Sequence, residues 1–212
     1  MILHGYWRSG AAYRVRIALA LKRLAFENRV HDLRTGSQRD SGYLALNPQG
    51  LVPALEANGT VVTQSGAIIE WLDETYPEPP LLPRDRVGRA TVRAMAAAIA
   101  CDIHPLQNLR VLQYLKRELG ASDPTRDAWL ARWMGDGFAA LETLAERHGG
   151  RFCYGDDPTL ADCFLAPQLY SARRFGIDLA SYARLVAADA ALRAIPEVAA
   201  AAPEAQPDAD PT

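Results

Sequence analysis

Cysteine is scarce in this chain. Cys101, Cys153 and Cys163 are the only three among 212 residues, odd in number and widely spaced. That excludes a disulfide framework and a cysteine-based zinc site, and it fits a reducing cytoplasm. No His, Cys, Asp or Glu spacing suggests a metal centre. No apolar run approaches the roughly 20 residues that cross a bilayer, so no membrane partner is expected. Charge of one sign is also missing. Lys and Arg number 23 against 25 Asp and Glu, a net charge of -2, which argues against nucleic acid as the main partner. The N-terminus runs straight into a strand pattern with no leader segment, so a cytoplasmic protein is expected. What is present, 49% hydrophobic and 23% charged residues, is an ordinary soluble composition, long enough for one large domain or two small ones.

The first eighty residues mix strands and helices. Strand patterns cover 2–6, 26–33, 54–56 and 61–63, and helix patterns cover 11–22, 42–46 and 66–76. Asn58-Gly59 between the last two strands is a strong hairpin signal. The order βαβ, short helix, ββα predicts an α/β domain. Pro77, Pro79, Pro80 and Pro83 then form a stiff linker. After it the strands vanish. The pattern predicts one long helix over 84–119 bent at Pro105, then helices over 124–148, 159–175, 179–190 and 196–202. Thr159 and Asp162 form a capping-box variant. The tail from Pro203 is rich in Pro, Ala and Asp, so disorder is expected there. The domain division is therefore 1–83 and 84–212.

Three features carry chemistry. Tyr6-Trp7-Arg8-Ser9-Gly10 is a turn between strand and helix, and it sets Arg8 and Ser9 at a helix N-terminus. Unpaired N–H groups and the helix dipole there favour an anion and lower the pKa of a nearby thiol. No cysteine lies in the turn, so a thiolate placed there belongs to a bound molecule. The run Asn47-Pro48-Gln49-Gly50-Leu51-Val52-Pro53 puts proline directly before a strand. Val52-Pro53 is a candidate cis bond that turns the Val52 backbone outward toward a peptide-like ligand. Gln64-Ser65-Gly66 places Ser65 where an N-cap belongs, a carboxylate site at a second helix N-terminus.

A thiol site, an outward backbone edge and a carboxylate site match the three parts of glutathione. With the proline linker and the Thr159–Asp162 box, they make nearly the whole chain resemble the glutathione transferases. The resemblance implies a thioredoxin-like N-terminal domain and an all-helical C-terminal domain, an α/β plus all-α architecture. The turn and the following Arg14-Val15-Arg16-Ile17-Ala18-Leu19 resemble the zeta class, which includes maleylacetoacetate isomerase and maleylpyruvate isomerase. The usual zeta turn reads Arg-Ser-Ser-Cys; here Gly10 and Ala11 replace its last two residues, so Ser9 alone supplies a hydroxyl. Trp7-Arg8-Ser9-Gly10, Cys101-Asp102-Ile103-His104-Pro105, Ser171-Ala172-Arg173-Arg174-Phe175 and the Ala205-Gln206-Pro207-Asp208 tail are similar to the maleylpyruvate branch.

The resemblance implies glutathione as cofactor, a small dicarboxylic keto acid as substrate and a homodimer. It implies cis–trans isomerisation of a maleyl keto acid to its fumaryl isomer. Ser9 and Arg8 are the catalytic candidates. Gln49, Val52, Gln64, Ser65, His104 and Asn108 are the glutathione-binding candidates. Arg8, Arg110 and Arg174 are candidates for the two carboxylates, because guanidinium pairs with carboxylate in a bidentate way. Arg110 points away from His104 on an ideal helix, so its inclusion needs a distortion at Pro105 or the length of its side chain. Arg173 and Arg174 lie about 100° apart on a helix, so one of them at most faces a cleft, and the resemblance favours Arg174. The cysteines read as buried small apolar residues. Two other functions remain open: a general transferase conjugating electrophiles, and a non-catalytic module of the same fold.

Overall fold

The structure, a computed structural model, describes residues 1–210 and divides the chain into two compact units. One comprises Met1–Leu81 together with the chain from Arg193 onward; the other is Leu82–Leu192.

The first unit is built on a four-stranded sheet in the order β2-β1-β3-β4, from β1 (Ile2–Gly5), β2 (Glu27–Val30), β3 (Ala54–Ala57) and β4 (Thr60–Thr63). β1 pairs parallel with β2 and antiparallel with β3. The parallel pair needs a crossover, and α1 (Gly10–Leu21) supplies it. Asn58 and Gly59 both take positive φ, 50° and 75°, the turn geometry that joins β3 to β4 without splaying them. α2 (Ser41–Leu46) and α3 (Ser65–Thr75) complete a thioredoxin-like fold. Leu3, Val15, Ile17, Leu19, Leu55 and Leu72 are fully enclosed and form its core. Lys22 is buried at the end of α1, and its ammonium donates to Asp73 and to the carbonyls of Tyr76 and Pro79, fastening the proline linker to the unit.

The chain beyond residue 192 departs from expectation. The division at 83/84 assigns it to the helical domain, but it clusters with the sheet unit. α10 (Pro196–Ala199) packs on α1, and a 3-10 turn follows at Pro203–Ala205. The Gln206 amide donates to the carbonyls of Ala200 and Ala202, so a segment expected to be disordered is wound back by its own side chain. Pro211 and Thr212 lie outside the described residues.

The second unit is helical. It contains α4 (Arg86–Ala97), α5 (His104–Gln107), α6 (Leu109–Arg117), α7 (Asp123–His148), α8 (Leu160–Arg174) and most of α9 (Ala183–Arg193). The helix expected over 84–119 runs unbroken from Arg86 to Gln107 and restarts as α6. Pro105 has no N–H to give and its ring crowds the carbonyl four residues back. The chain responds with a wide π turn over Ala98–Ile103. The break itself falls at Asn108, whose backbone is extended (φ -61°, ψ 144°). Cys153 and Cys163 are buried as expected, whereas Cys101 is exposed on the π turn.

α8 is enclosed along most of its length and begins at the Thr159–Asp162 box. Asp162, 1% exposed, accepts from the N–H groups of Cys153 and Thr159 and from the Thr159 hydroxyl at 2.8–2.9 Å. Asp162→Ala removes three buried hydrogen bonds at once and is expected to lower stability by roughly 2–4 kcal/mol in urea titrations. Asp162→Asn, which keeps one acceptor oxygen, is expected to lose less.

Candidate active site

The turn after β1 is closed by Ser9 N–H donating to the Tyr6 carbonyl at 3.0 Å. Ser9 is the N-cap of α1, with extended backbone (φ -70°, ψ 115°), and its Oγ accepts from Ala12 N–H at 3.2 Å. A hydroxyl that accepts one bond still holds a proton to donate. The first-turn N–H groups beside it have no partner inside the helix, and the positive end of the helix dipole lies there. Arg8 is half-buried and lies over the Trp7 ring, 5.0 Å from guanidinium carbon to centroid. A cation held against an aromatic face keeps its N–H edge for a carboxylate.

The second N-terminus differs from expectation by one residue. Gln64 is the N-cap of α3 and Ser65 its first helical residue. Gln64 takes φ 70° and ψ 121°, a conformation a non-glycine residue rarely adopts. Its amide donates to Gln49 Oε1 at 2.7 Å, joining two residues that the sequence placed in separate loops. Ser65 is buried because Oγ accepts from the Arg14 guanidinium at 3.2 Å. That leaves the Ser65 hydroxyl proton to donate. An anion at this helix end would meet the Ser65 hydroxyl and the α3 first-turn N–H groups, with the buried Arg14 charge behind them.

The Asn47–Pro53 loop meets the α3 end through the Gln49–Gln64 bond, and its Val52-Pro53 bond is cis, as the sequence suggested. The loop is pinned at one atom. The Leu51 carbonyl accepts from the Tyr43 hydroxyl and from the Asn47 amide, each at 2.6 Å. Gly50 takes φ 59°, and a side chain there would also strike Arg39, so only glycine suits the position. Tyr43 in turn packs on His31, ring centroids 4.1 Å apart. His31 Nε2 lies 2.8 Å from His4 Nδ1, and His4 Nε2 lies 2.6 Å from Glu56 Oε1.

Arg14, Tyr43 and Asn47 are support residues that sequence reasoning missed. Tyr43 and Asn47 act through a carbonyl eight and four residues on, a contact with no sequence signature. Arg14 did leave a trace, a charge inside an otherwise apolar helical run.

In the second unit, His104 opens α5 and is half-buried. Asn108 caps α6, its Oδ1 accepting from Arg110 N–H at 3.2 Å. On a continuous helix His104 and Asn108 would lie one turn apart on one face; the break at Asn108 removes that face. Arg110 is exposed on the first turn of α6, just past that break. Trp129 Nε1 donates to the Leu106 carbonyl at 2.8 Å, so α7 holds this short segment in place. The two adjacent arginines at the end of α8 are told apart. Arg173 is tied to the fully buried Asp189 carboxylate at 2.6 Å. Arg174 is exposed, its guanidinium carbon 4.3 Å from the Phe175 ring centroid. Burial pushes the Cys153 thiol well above its ordinary pKa, so it stays protonated and unreactive.

Burial, followed by the neighbouring His4, lowers the His31 pKa below its ordinary value of 6.5. The unfolded chain then binds more protons in the window between about 6.5 and the lower folded value. Stability is therefore expected to fall as pH drops through that window. Urea midpoints measured across it should decline, and His31→Asn should flatten the decline.

Residues 8–75 match the family described as glutathione S-transferase, N-terminal domain, and residues 127–198 match glutathione S-transferase, C-terminal domain. A maleylpyruvate isomerase of a Ralstonia species is 48% identical over 98% of this chain and 99% of its own length. The holo structure of a maleyl pyruvate isomerase, a bacterial zeta-class glutathione S-transferase, shares 48% identity and a TM-score of 0.96, covering 99% of this chain and 100% of that one. A maleylacetoacetate isomerase of Anaeromyxobacter dehalogenans 2CP-1, 46% identical over 99% of this chain and 97% of that one, has been solved with bound GSH in its active site (TM-score 0.89) and with dicarboxyethyl glutathione and citrate there (TM-score 0.88). The motifs of the turn, the two domain matches and full-length likeness agree: the chain belongs to the zeta class of the glutathione S-transferases, the class of the maleylpyruvate and maleylacetoacetate isomerases.

Proposed function

We propose that this chain is a glutathione-dependent cis–trans isomerase that converts a maleyl keto acid into its fumaryl isomer, with maleylpyruvate favoured over maleylacetoacetate. The observation that carries the reading is the Ser9 cap: a hydroxyl with a proton to donate, placed beside the unpaired N–H groups of α1. The rest of the first unit fits the tripeptide. Ser65 and the first turn of α3 suit a carboxylate, and the pinned loop before Pro53 suits a peptide link.

When bound, glutathione supplies a thiolate whose reversible addition to the double bond leaves that bond single and free to rotate. Ser9 donates its hydroxyl proton toward the sulfur and the α1 terminus adds its dipole, both favouring the charged form. A free thiol ionises near pH ~8.5, so neutrality demands such help. Gln64 and Ser65 hold the γ-glutamyl end, Gln49 supports Gln64, and Val52 offers its N–H and C=O to the peptide. His104 and Asn108 are assigned to glutathione on the family resemblance.

Arg8, Arg110 and Arg174 take the carboxylates of the diacid, and one of these donors steadies charge that develops on the ketone oxygen. Maleylpyruvate and maleylacetoacetate both carry two carboxylates and differ by one methylene beside the remote one, so the preference for maleylpyruvate rests on likeness to that branch. A relative that accepts dicarboxyethyl glutathione supports a site able to hold a diacid at the sulfur. Cys101, Cys153 and Cys163 form no disulfide among the described residues, which suits a cytoplasmic enzyme. Pairing as a homodimer is part of the proposal, and Val87, 76% exposed on α4, offers an apolar anchor for it.

Turnover of maleylpyruvate is expected to require glutathione without consuming it. Activity independent of glutathione, or activity confined to a chloro-aromatic electrophile, would overturn the reading. Arg174→Ala is expected to lower turnover by about 10²–10³ while glutathione affinity changes little. Ser9→Ala is expected to raise the pH at which the bound thiol ionises, followed by thiolate absorbance; an unmoved titration removes Ser9 from the mechanism.

A further inference from the structure

The turn that carries Arg8 and Ser9 is held by the far end of the chain. Trp7 N–H donates to the Asp208 carboxylate at 2.9 Å. The Trp7 carbonyl accepts from the Arg16 guanidinium at 2.9 Å, and the same guanidinium donates to the Ala201 carbonyl at 3.0 Å. Both backbone atoms of the residue two before Ser9 are thus fixed, one by the tail directly and one through an arginine that the tail shares. Arg16 is 2% exposed, so its cation is enclosed between those two carbonyls.

A second strap lies beside the first. Arg34 grips Asp32 in a bidentate pair and reaches Asp210 at 2.7 Å, while its guanidinium carbon lies 5.8 Å from the Tyr6 ring centroid. The Gln206 amide on the carbonyls of Ala200 and Ala202 winds the intervening chain so that Asp208 arrives at Trp7. The tail motif that the family resemblance singled out therefore has a place in the fold but no role in the chemistry described so far.

We infer that Asp208 is a positioning residue for the reaction. Its carboxylate fixes the Trp7 N–H, which sets the path of the turn and so the aim of the Ser9 hydroxyl and the first N–H groups of α1. Stabilising a thiolate by hydrogen bonds depends on aim at the scale of an ångström, and a fixed donor costs nothing to reorganise when charge appears. A carboxylate accepting a backbone N–H is a strong fixing bond because the acceptor is charged. The effect is on alignment and not on charge. A negative group near the turn by itself opposes a thiolate, so a purely electrostatic role would show the opposite sign.

This inference rests on the proposed glutathione chemistry, and its test separates the two. In the full-length protein, Asp208→Ala is expected to raise the pH of half-ionisation of bound glutathione by about half a unit, the scale on which a helix terminus acts on an adjacent anion. It is expected to lower kcat for maleylpyruvate roughly tenfold, with the dissociation constant for glutathione within about twofold. Amide hydrogen exchange should quicken at residues 6–10 and stay unchanged in α8. Asp208→Asn keeps an acceptor oxygen and should restore most of kcat. Asp208→Glu keeps the charge but moves the acceptor by one methylene, so it reports misalignment even where the alanine variant does not fold. An unmoved thiol titration with unchanged kcat overturns the inference, as does a titration that shifts to lower pH or exchange that quickens throughout the molecule. Should the wild-type protein fail to isomerise any maleyl keto acid, the proposed function falls, and the thiol titration still decides the role of Asp208.

Discussion

Two guanidinium groups buried on one helix organise the first unit. α1 is enclosed almost continuously from Ala12 to Leu19, yet it carries Arg14 and Arg16, 3% and 2% exposed. A buried cation is costly unless its donors are satisfied. Each arginine meets that demand by gripping a point that matters. Arg14 reaches the Ser65 hydroxyl at the start of α3, and Arg16 reaches the Trp7 carbonyl in the turn before α1. The two candidate anion sites of this unit are therefore fastened to the same rigid rod. Leucines at these positions would fill the space but would specify neither the turn nor the start of α3.

The two helix ends are built differently. At Ser9 a neutral hydroxyl accepts from Ala12 N–H at the positive end of the helix dipole. At Ser65 a full positive charge lies behind the hydroxyl. A carboxylate is already ionised at neutral pH and needs only to be held, so a charged partner serves it. A thiolate that must add to carbon and later leave is better served by modest stabilisation, because a sulfur made too stable is a weaker nucleophile.

Much of this was legible in the sequence, and the reasons divide by the range of the contact. The hairpin at Asn58-Gly59, the cis bond before Pro53 and the capping box at Thr159–Asp162 are set by neighbours within a few residues, and local chemistry wrote them plainly. The helix expected over 84–119 failed at Asn108 because periodicity registers apolar faces and not the N-cap preference that let Asn108 restart the chain. The tail failed for another reason. Its composition is that of a disordered segment, and it is ordered by partners 201 and 176 positions away in sequence, Trp7 and Arg34. The Gln49–Gln64 bond and the Tyr43 and Asn47 donors on Leu51 are likewise tertiary facts. The positive φ of Gln64 could not be anticipated, since no local rule sends a glutamine there.

The pair Arg173-Arg174 shows how adjacent identical residues acquire separate work. Helix geometry alone says that they diverge, and says nothing about which is used. The structure distinguishes them through Asp189, a carboxylate with no exposure at all that lies on α9. A buried carboxylate must find a cation, and Arg173 is the one it takes, at 2.6 Å. The neighbours therefore part by partner: Arg173 is committed to the fold through Asp189, and Arg174 lies against the Phe175 ring. The ion pair makes that division because a carboxylate shut off from water demands a cation, and the residue one step along the helix is turned about 100° away from it.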